Sequence, residues 1–151
     1  MASWVVVFAL LAATVASGAV GIGERAPELG IALPSGVKVL VFISAQCPVS
    51  NEYVGRVNAL AQEYKGRASV VGVNSNRNES VEDMERHARE YGLGFPVYKD
   101  RDNVAADALG ITVTPQAVVL DALGRLRYRG RIDDSQKIAR VKREDLRRAA
   151  A

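Results

Sequence analysis

The stretch Val39-Leu-Val-Phe-Ile-Ser-Ala-Gln-Cys47-Pro-Val-Ser-Asn-Glu-Tyr53 constrains this chain more than any other. An apolar run fit for a strand buried on both faces ends at Ser44, and Cys47-Pro48 then opens a helical stretch. Proline is favoured at the first helical position, because its missing N–H would be an orphan donor there anyway. The arrangement sets the sulfur beside unsatisfied N–H groups at the positive end of a helix dipole, which favours the reactive thiolate. A lone cysteine is ordinarily a small buried hydrophobe. Cys47 is the only cysteine here, but its strand–Cys–Pro–helix setting argues for a nucleophile.

The 151 residues, 48% of them hydrophobic, suffice for one domain with one sizeable core. The first charged side chain is Glu24. Before it runs Trp4-Val-Val-Val-Phe-Ala-Leu-Leu-Ala-Ala-Thr-Val-Ala-Ser17 and then small residues to Gly23. Residues 1–23 therefore read as a signal peptide, with small residues around Val15 to Ala19 offering cleavage points, or as an N-terminal membrane anchor. Residues 24–151 form the folded domain. An exported, periplasmic or extracellular location permits disulfides, yet one thiol cannot make one internally. Its possible fates are a mixed disulfide with a partner, oxidation by a small molecule, or inertness.

The net charge of +3 is uneven: residues 1–130 hold 13 basic and 13 acidic side chains, and residues 131–151 hold 7 and 4. Arg125, Arg127, Arg129 and Arg131 alternate just before the basic end. We read them as the solvated face of an edge strand, where charge discourages unwanted pairing, and expect no nucleic-acid partner. Sole His87 reads as a surface or boundary residue. With one His and one Cys, no metal site is supported. No phosphate loop, dinucleotide fingerprint or haem-attachment motif appears, so no cofactor is expected.

Hydrophobic spacing lays out the elements. Val37 to Ser44 reads as a central strand and Pro48 to Lys65 as a helix, with Tyr53, Val57, Leu60, Ala61 and Tyr64 on one face. Ala68 to Val73 is a second buried strand. Ser80 and Asp83 form a capping signal for a helix through Tyr91. Phe95 to Tyr98 is a short strand, and Asn103 to Leu109 a short helix ended by Gly110. Thr114-Pro115 leads into the strand Gln116 to Leu120, which the Asp121–Gly124 turn joins to Arg125–Gly130 as a hairpin. The stretch Val141 to Leu146 is expected to open a final packing helix. Asn74, Ser75 and Asn76 end a strand on the side where ligands sit in α/β sheets. Strands alternating with helices, closed by an antiparallel hairpin, indicate a three-layer α/β/α domain with a mixed central sheet.

The order strand, Cys-Pro, helix, strand, helix, Thr-Pro, hairpin resembles the thioredoxin-like fold. Phe42-Ile-Ser-Ala-Gln-Cys-Pro-Val-Ser-Asn-Glu-Tyr53 resembles the active-site segment of redoxin proteins, the alkyl hydroperoxide reductase/thiol-specific antioxidant (peroxiredoxin-like) superfamily. Val71-Gly-Val-Asn-Ser-Asn76, Phe95-Pro-Val-Tyr-Lys-Asp100, Gly110-Ile-Thr-Val-Thr-Pro-Gln116 and Tyr128-Arg-Gly-Arg-Ile-Asp-Asp134 resemble blocks of exported bacterial redoxin-like chains. The resemblance covers about residues 24 to 134. It implies that Cys47 is the reactive thiol and that Thr114-Pro115 is the cis-proline facing it.

The departures from these families bear on mechanism. Thioredoxin-type reductases carry Cys-x-x-Cys, whereas this chain reads Cys47-Pro-Val-Ser50. Ser50 can hydrogen-bond a thiolate but cannot attack a mixed disulfide. Where peroxiredoxins place a proline and a threonine, this chain has Leu40 and Ser44; Ser44 keeps a hydroxyl that could orient a peroxide oxygen. No arginine stands at Thr114 or Pro115, and Arg125 or Arg131 would have to substitute from the hairpin. The expected function is an exported thiol oxidoreductase or antioxidant acting through one cysteine on disulfides or peroxides. Its redox partner would be an external thiol or disulfide protein. The alternative is a non-catalytic thioredoxin-fold module that captures thiol or peptide partners.

Overall fold

The apolar run after Val37 becomes the centre of the molecule. The computed structural model describes residues 18–151. Most of the expected leader, residues 1–17, therefore lies outside the described residues. The elements are β1 (Lys38–Phe42), α1 (Pro48–Glu63), β2 (Ser69–Asn74), α2 (Val81–Tyr91), β3 (Val97–Lys99), α3 (Val104–Leu109), β4 (Gln116–Leu120), β5 (Leu126–Gly130) and α4 (Asp145–Ala150). They build one five-stranded sheet in the order β3-β2-β1-β4-β5. β1, β2 and β3 run parallel, joined by the crossover helices α1 and α2, and β4 and β5 close the sheet antiparallel.

Alternation along the central strands explains why β1 is apolar throughout. Val39 and Val41 on β1, with Ala117 and Val119 on β4, face Tyr53, Val57 and Leu60 of α1 and Leu146 of α4. Leu40 and Phe42, with Val118 and Leu120, face Ala105, Ala106 and Leu109 of α3 together with Val20 and Leu29 of the lead-in. Each fully buried side chain of this kind contributes about 1.5–3 kcal/mol relative to exposure. These are the two helical layers of an α/β/α sandwich. Val20 belongs to the second core, and its N–H donates to the Ala108 carbonyl at 2.9 Å. The folded unit thus takes in residues just before Glu24.

Local chemistry sets the helix ends. Ser80 and Asp83 form the capping box at α2, each side chain accepting the other residue's N–H. At α3 the cap is Asp100, whose carboxylate accepts the N–H groups of Ala105 at 2.9 Å and Ala106 at 3.0 Å and the Ser75 hydroxyl at 2.7 Å. Gly110 ends α3 at φ +65°, and a Cβ there would lie 2.8 Å from the Ala19 Cβ. Both backbone and space therefore require glycine.

Three expectations need correction. α4 begins at Asp145, four residues after the expected start at Val141. The Asp134 carboxylate accepts the N–H groups of Lys142 and Arg143, and Asp134 N–H donates to the Arg143 carbonyl, which holds that stretch out of a helix. His87 is buried, not a surface residue. The hairpin arginines do not all point to solvent. β5 is an edge strand, with Arg127 paired to Asp121 and Arg131 to Asp145 on the surface, but Arg129 turns inward to the carbonyls of Val20 and Leu109. Among the described residues no helix is long and apolar enough to cross a membrane.

The segment after β5 is tied to α1 by one buried ion pair. Arg56 Nη1 lies 2.6 Å from Asp133 Oδ2 and donates also to the Ser135 carbonyl, Nη2 donates to the Gln136 carbonyl, and the guanidinium carbon stacks 4.2 Å over the Tyr53 ring. The Tyr53 hydroxyl donates to the other Asp133 oxygen at 3.2 Å. Removing one partner leaves the other charge buried and unpaired, which is more costly than losing the attraction alone. Asp133→Ala should therefore lower stability by about 3 kcal/mol in denaturant unfolding, with the Cys47 chemistry of the folded protein unchanged.

Candidate active site

Cys47 occupies the N-cap of α1 with an extended backbone, φ −91° and ψ 108°, and Pro48 follows within the first turn. Its sulfur takes the place of the usual capping oxygen: the Ser50 N–H donates to Sγ at 3.4 Å. The thiol points at the Thr114 carbonyl, 3.6 Å away, across the cis Thr114-Pro115 bond. The residue is half-buried, so a reactant can reach the sulfur. Burial raises the thiol pKa, but hydrogen bonds from the Ser50 side chain and N–H, the Thr114 side chain and the Val49 N–H outweigh it. The net effect is a pKa below that of an ordinary thiol, without a guanidinium. Arg125 donates to the Gly23 carbonyl and Arg131 pairs with Asp145, so neither substitutes for a peroxiredoxin arginine.

The structure gathers Cys47, Ser50, Thr114 and Pro115 around one sulfur and places Ser44 one step behind. Ser50 is buried, and its Oγ accepts the Ser44 N–H at 3.4 Å. The Ser44 hydroxyl donates to Glu79 Oε1 at 2.6 Å and accepts from Asn76 Nδ2 at 3.3 Å. Ser44 and Thr114 also border a cleft of about 350 Å³ at the carboxyl ends of β1 and β2, which Asn76 and Asn103 line as well. Asn74 and Asn76 thus sit where the strand-end reading put them, but their amides serve Glu79.

Sequence reasoning missed Glu79. This carboxylate is 2% exposed. It accepts the Ser44 hydroxyl, the N–H groups of Ala45 at 3.0 Å and Gln46 at 2.8 Å, and the side-chain amides of Asn74 and Asn76. Burial raises its pKa, but these donors more than reverse that and hold it ionised, below the usual carboxylate range. The one available signal was an acid among asparagines directly before a helix cap, in a loop leaving the strand next to β1.

His87 was misplaced for a related reason. Its Nε2 lies 2.7 Å from Asn51 Oδ1, and Asn51 Nδ2 donates to the Ala45 carbonyl at 3.2 Å. That orientation of the amide makes His87 the donor, so the neutral ring carries its proton on Nε2. The Ala45–Gln46 peptide is therefore held through the Gln46 N–H by Glu79 and through the Ala45 carbonyl by Asn51. Among the described residues no group of three His, Cys, Asp or Glu side chains could hold a metal ion.

Burial lowers the His87 pKa, with Glu79 and Glu90 opposing it. The folded state therefore binds this proton less readily than the unfolded chain. Stability from the neutral ring is full above about 6.5, the ordinary imidazole value, and is lost as pH falls below it. Because His87 is the only histidine, His87→Gln should flatten the denaturant midpoint between about pH 6.5 and 5.5, where the wild type loses stability.

Comparison with known proteins agrees with this geometry. Residues 32–129 match the AhpC/TSA family. The chain is 28% identical over 88 residues to the thiol-disulfide oxidoreductase ResA of Halalkalibacterium halodurans, covering 58% of this chain and 49% of that protein. It thus spans about half the length of that curated relative. Among solved structures, an uncharacterized conserved protein from Geobacillus kaustophilus is similar at 28% identity and TM-score 0.67, over 76% of this chain and 71% of the other. A secreted Mycobacterium tuberculosis disulfide oxidoreductase homologous to Escherichia coli DsbE shares the fold at 23% identity and TM-score 0.54, over 69% and 80%. An α/β/α sandwich around a mixed five-stranded sheet, with a cysteine capping its first helix opposite a cis-proline, is the thioredoxin-like redoxin architecture, and the chain belongs to the AhpC/TSA family.

Proposed function

We propose that the protein is an exported thiol–disulfide oxidoreductase that works through Cys47 alone. The observation that carries this reading is the sulfur at the α1 N-cap, half-exposed, accepting the Ser50 N–H and with its pKa lowered by the hydrogen bonds around it. The thiolate attacks one sulfur of a substrate disulfide. A Cys47–S–S–R bond forms, the substrate S–S bond breaks, and the other sulfur leaves with the electron pair and takes a proton. Ser50 stands where a resolving thiol would be and has no nucleophilic sulfur, so the mixed disulfide waits for an external thiol. That thiol attacks the R sulfur, forms the product disulfide and releases Cys47 as thiolate. The redox partner is thus an external thiol or disulfide protein, and likeness to ResA and to a secreted disulfide oxidoreductase supports that choice.

Disulfides are favoured over peroxides by what surrounds the sulfur. The Ser44 hydroxyl proton is committed to Glu79 and not free for a peroxide oxygen. Leu40 replaces the peroxiredoxin proline, and the hairpin arginines Arg125 and Arg131 are engaged elsewhere. The apolar residues 4–17 support export, as a cleaved signal peptide or a membrane anchor. A reporter active only outside the cytoplasm, fused after Gly23, should be active.

Alkylation of the folded protein without residues 1–17 should follow a pH profile with its midpoint below about 8.5, the ordinary thiol value. An aromatic disulfide should release one equivalent of thiol and leave a mixed disulfide on Cys47, seen by mass spectrometry and absent in Cys47→Ser. Added small thiol should then regenerate the free protein. Faster trapping of a sulfenic acid by hydrogen peroxide would turn the reading to a peroxidase. A mixed disulfide that no thiol releases would turn it to a capture module.

A further inference from the structure

We propose that Glu79 is a positioning residue of the thiol site: its buried carboxylate clamps the Ser44–Gln46 loop and thereby sets Cys47 on the cap of α1. The proposal rests on the thiol reading above. Of the five hydrogen bonds Glu79 accepts, three come from consecutive residues directly before Cys47. The other two come from Asn74 and Asn76 at the end of β2, which anchor the clamp to the sheet. The loop between β1 and α1 thus hangs from the neighbouring crossover. Asn51 holds the Ala45 carbonyl from the α1 side, so the Ala45–Gln46 peptide is pinned at both its carbonyl and its N–H.

The chemistry of the acceptor matters. Oε1 takes Ser44 Oγ, Gln46 N–H and Asn76 Nδ2, and Oε2 takes Ala45 N–H and Asn74 Nδ2. Every partner is a donor, so only a group with two acceptor oxygens and no proton satisfies the set. A glutamine of the same shape would turn its NH₂ against donors on one side. Among the described residues no cation pairs directly with Glu79; His87 lies within electrostatic reach, and Lys99 touches Asn74 and the Asn76 carbonyl from β3. Dipoles therefore carry the compensation, and two of them belong to the peptides whose direction fixes the approach to Cys47.

Releasing Ala45 and Gln46 frees the backbone entering Cys47 at φ −91° and ψ 108°. The sulfur then samples positions in which it no longer accepts the Ser50 N–H, and its thiolate loses that stabilisation. The experiment is the pH profile of Cys47 alkylation in wild type and Glu79→Gln, with circular dichroism showing that each is folded. The midpoint should rise by about one unit in Glu79→Gln. At pH values below it the rate should fall roughly threefold, because tenfold less thiolate is partly offset by a more basic nucleophile. A folded Glu79→Gln with an unshifted midpoint overturns the proposal, since a merely structural role lowers the melting temperature and leaves the native thiol as it was. If Glu79→Gln does not fold, Ser44→Ala removes one of the three ties to the loop. A smaller rise in the same direction supports the clamp, and no rise overturns it. A wild-type midpoint at the ordinary thiol value overturns the thiol reading itself, and this proposal with it.

Discussion

An ionised carboxylate taken out of water costs several kcal/mol unless its lone pairs are met, and Glu79 meets that cost at the junction of three elements. Its five donors come from the loop leaving β1 and the loop leaving β2, and the residue after it caps α2. The two parallel strands, both crossover helices and the segment before Cys47 therefore share one polar node. A half-satisfied network here would be worse than an apolar one, so the geometry of the thiol loop is coupled to the correct assembly of the sheet. The fold and the site depend on the same hydrogen bonds.

Around that node the protein separates two tasks. Apolar packing on the two faces of β1 and β4 fills the interior of the sandwich. The Cys47 sulfur sits at the rim, where a helix terminus supplies N–H groups and the turn before Pro115 supplies a facing carbonyl. Anion stabilisation by backbone and hydroxyl donors replaces the arginine that a peroxide-activating site would use. Ser50 belongs to this donor set: where a second thiol would resolve a mixed disulfide, its hydroxyl stabilises the first.

The far side of α1 has its own anchor. Arg56 and Asp133 tie the segment after the hairpin back onto the helix, and Leu146 fills the apolar space beside Val57 and Leu60. Between them lies an open cleft of about 450 Å³, with Ile138 exposed at its rim. α4 covers the sheet with six residues only, so the ion pair and Leu146 hold this end of the layer.

Much of the fold was legible in the residues themselves, because the relevant signals are local. Continuous apolarity over residues 39–43 marks a strand buried on both faces, Ser80 with Asp83 marks a helix start, Gly110 a helix end, and Cys47-Pro48 a helix terminus beside a thiol. Those signals depend on neighbours within four residues, and the structure has every element but α4 within one or two residues of its expected place. α4 was misread because Asp134 binds backbone eight and nine residues away, beyond any periodicity. His87 and Glu79 were decided only in three dimensions. A polar residue reads as solvent-facing until its partners are known, and theirs are Asn51, 36 residues earlier in the chain, and Ser44, 35 residues earlier. The sequence by itself determined that a thiol would cap a helix. Tertiary structure alone decided which side chains hold that helix cap in place, because hydrogen bonds between distant segments leave no pattern in either segment.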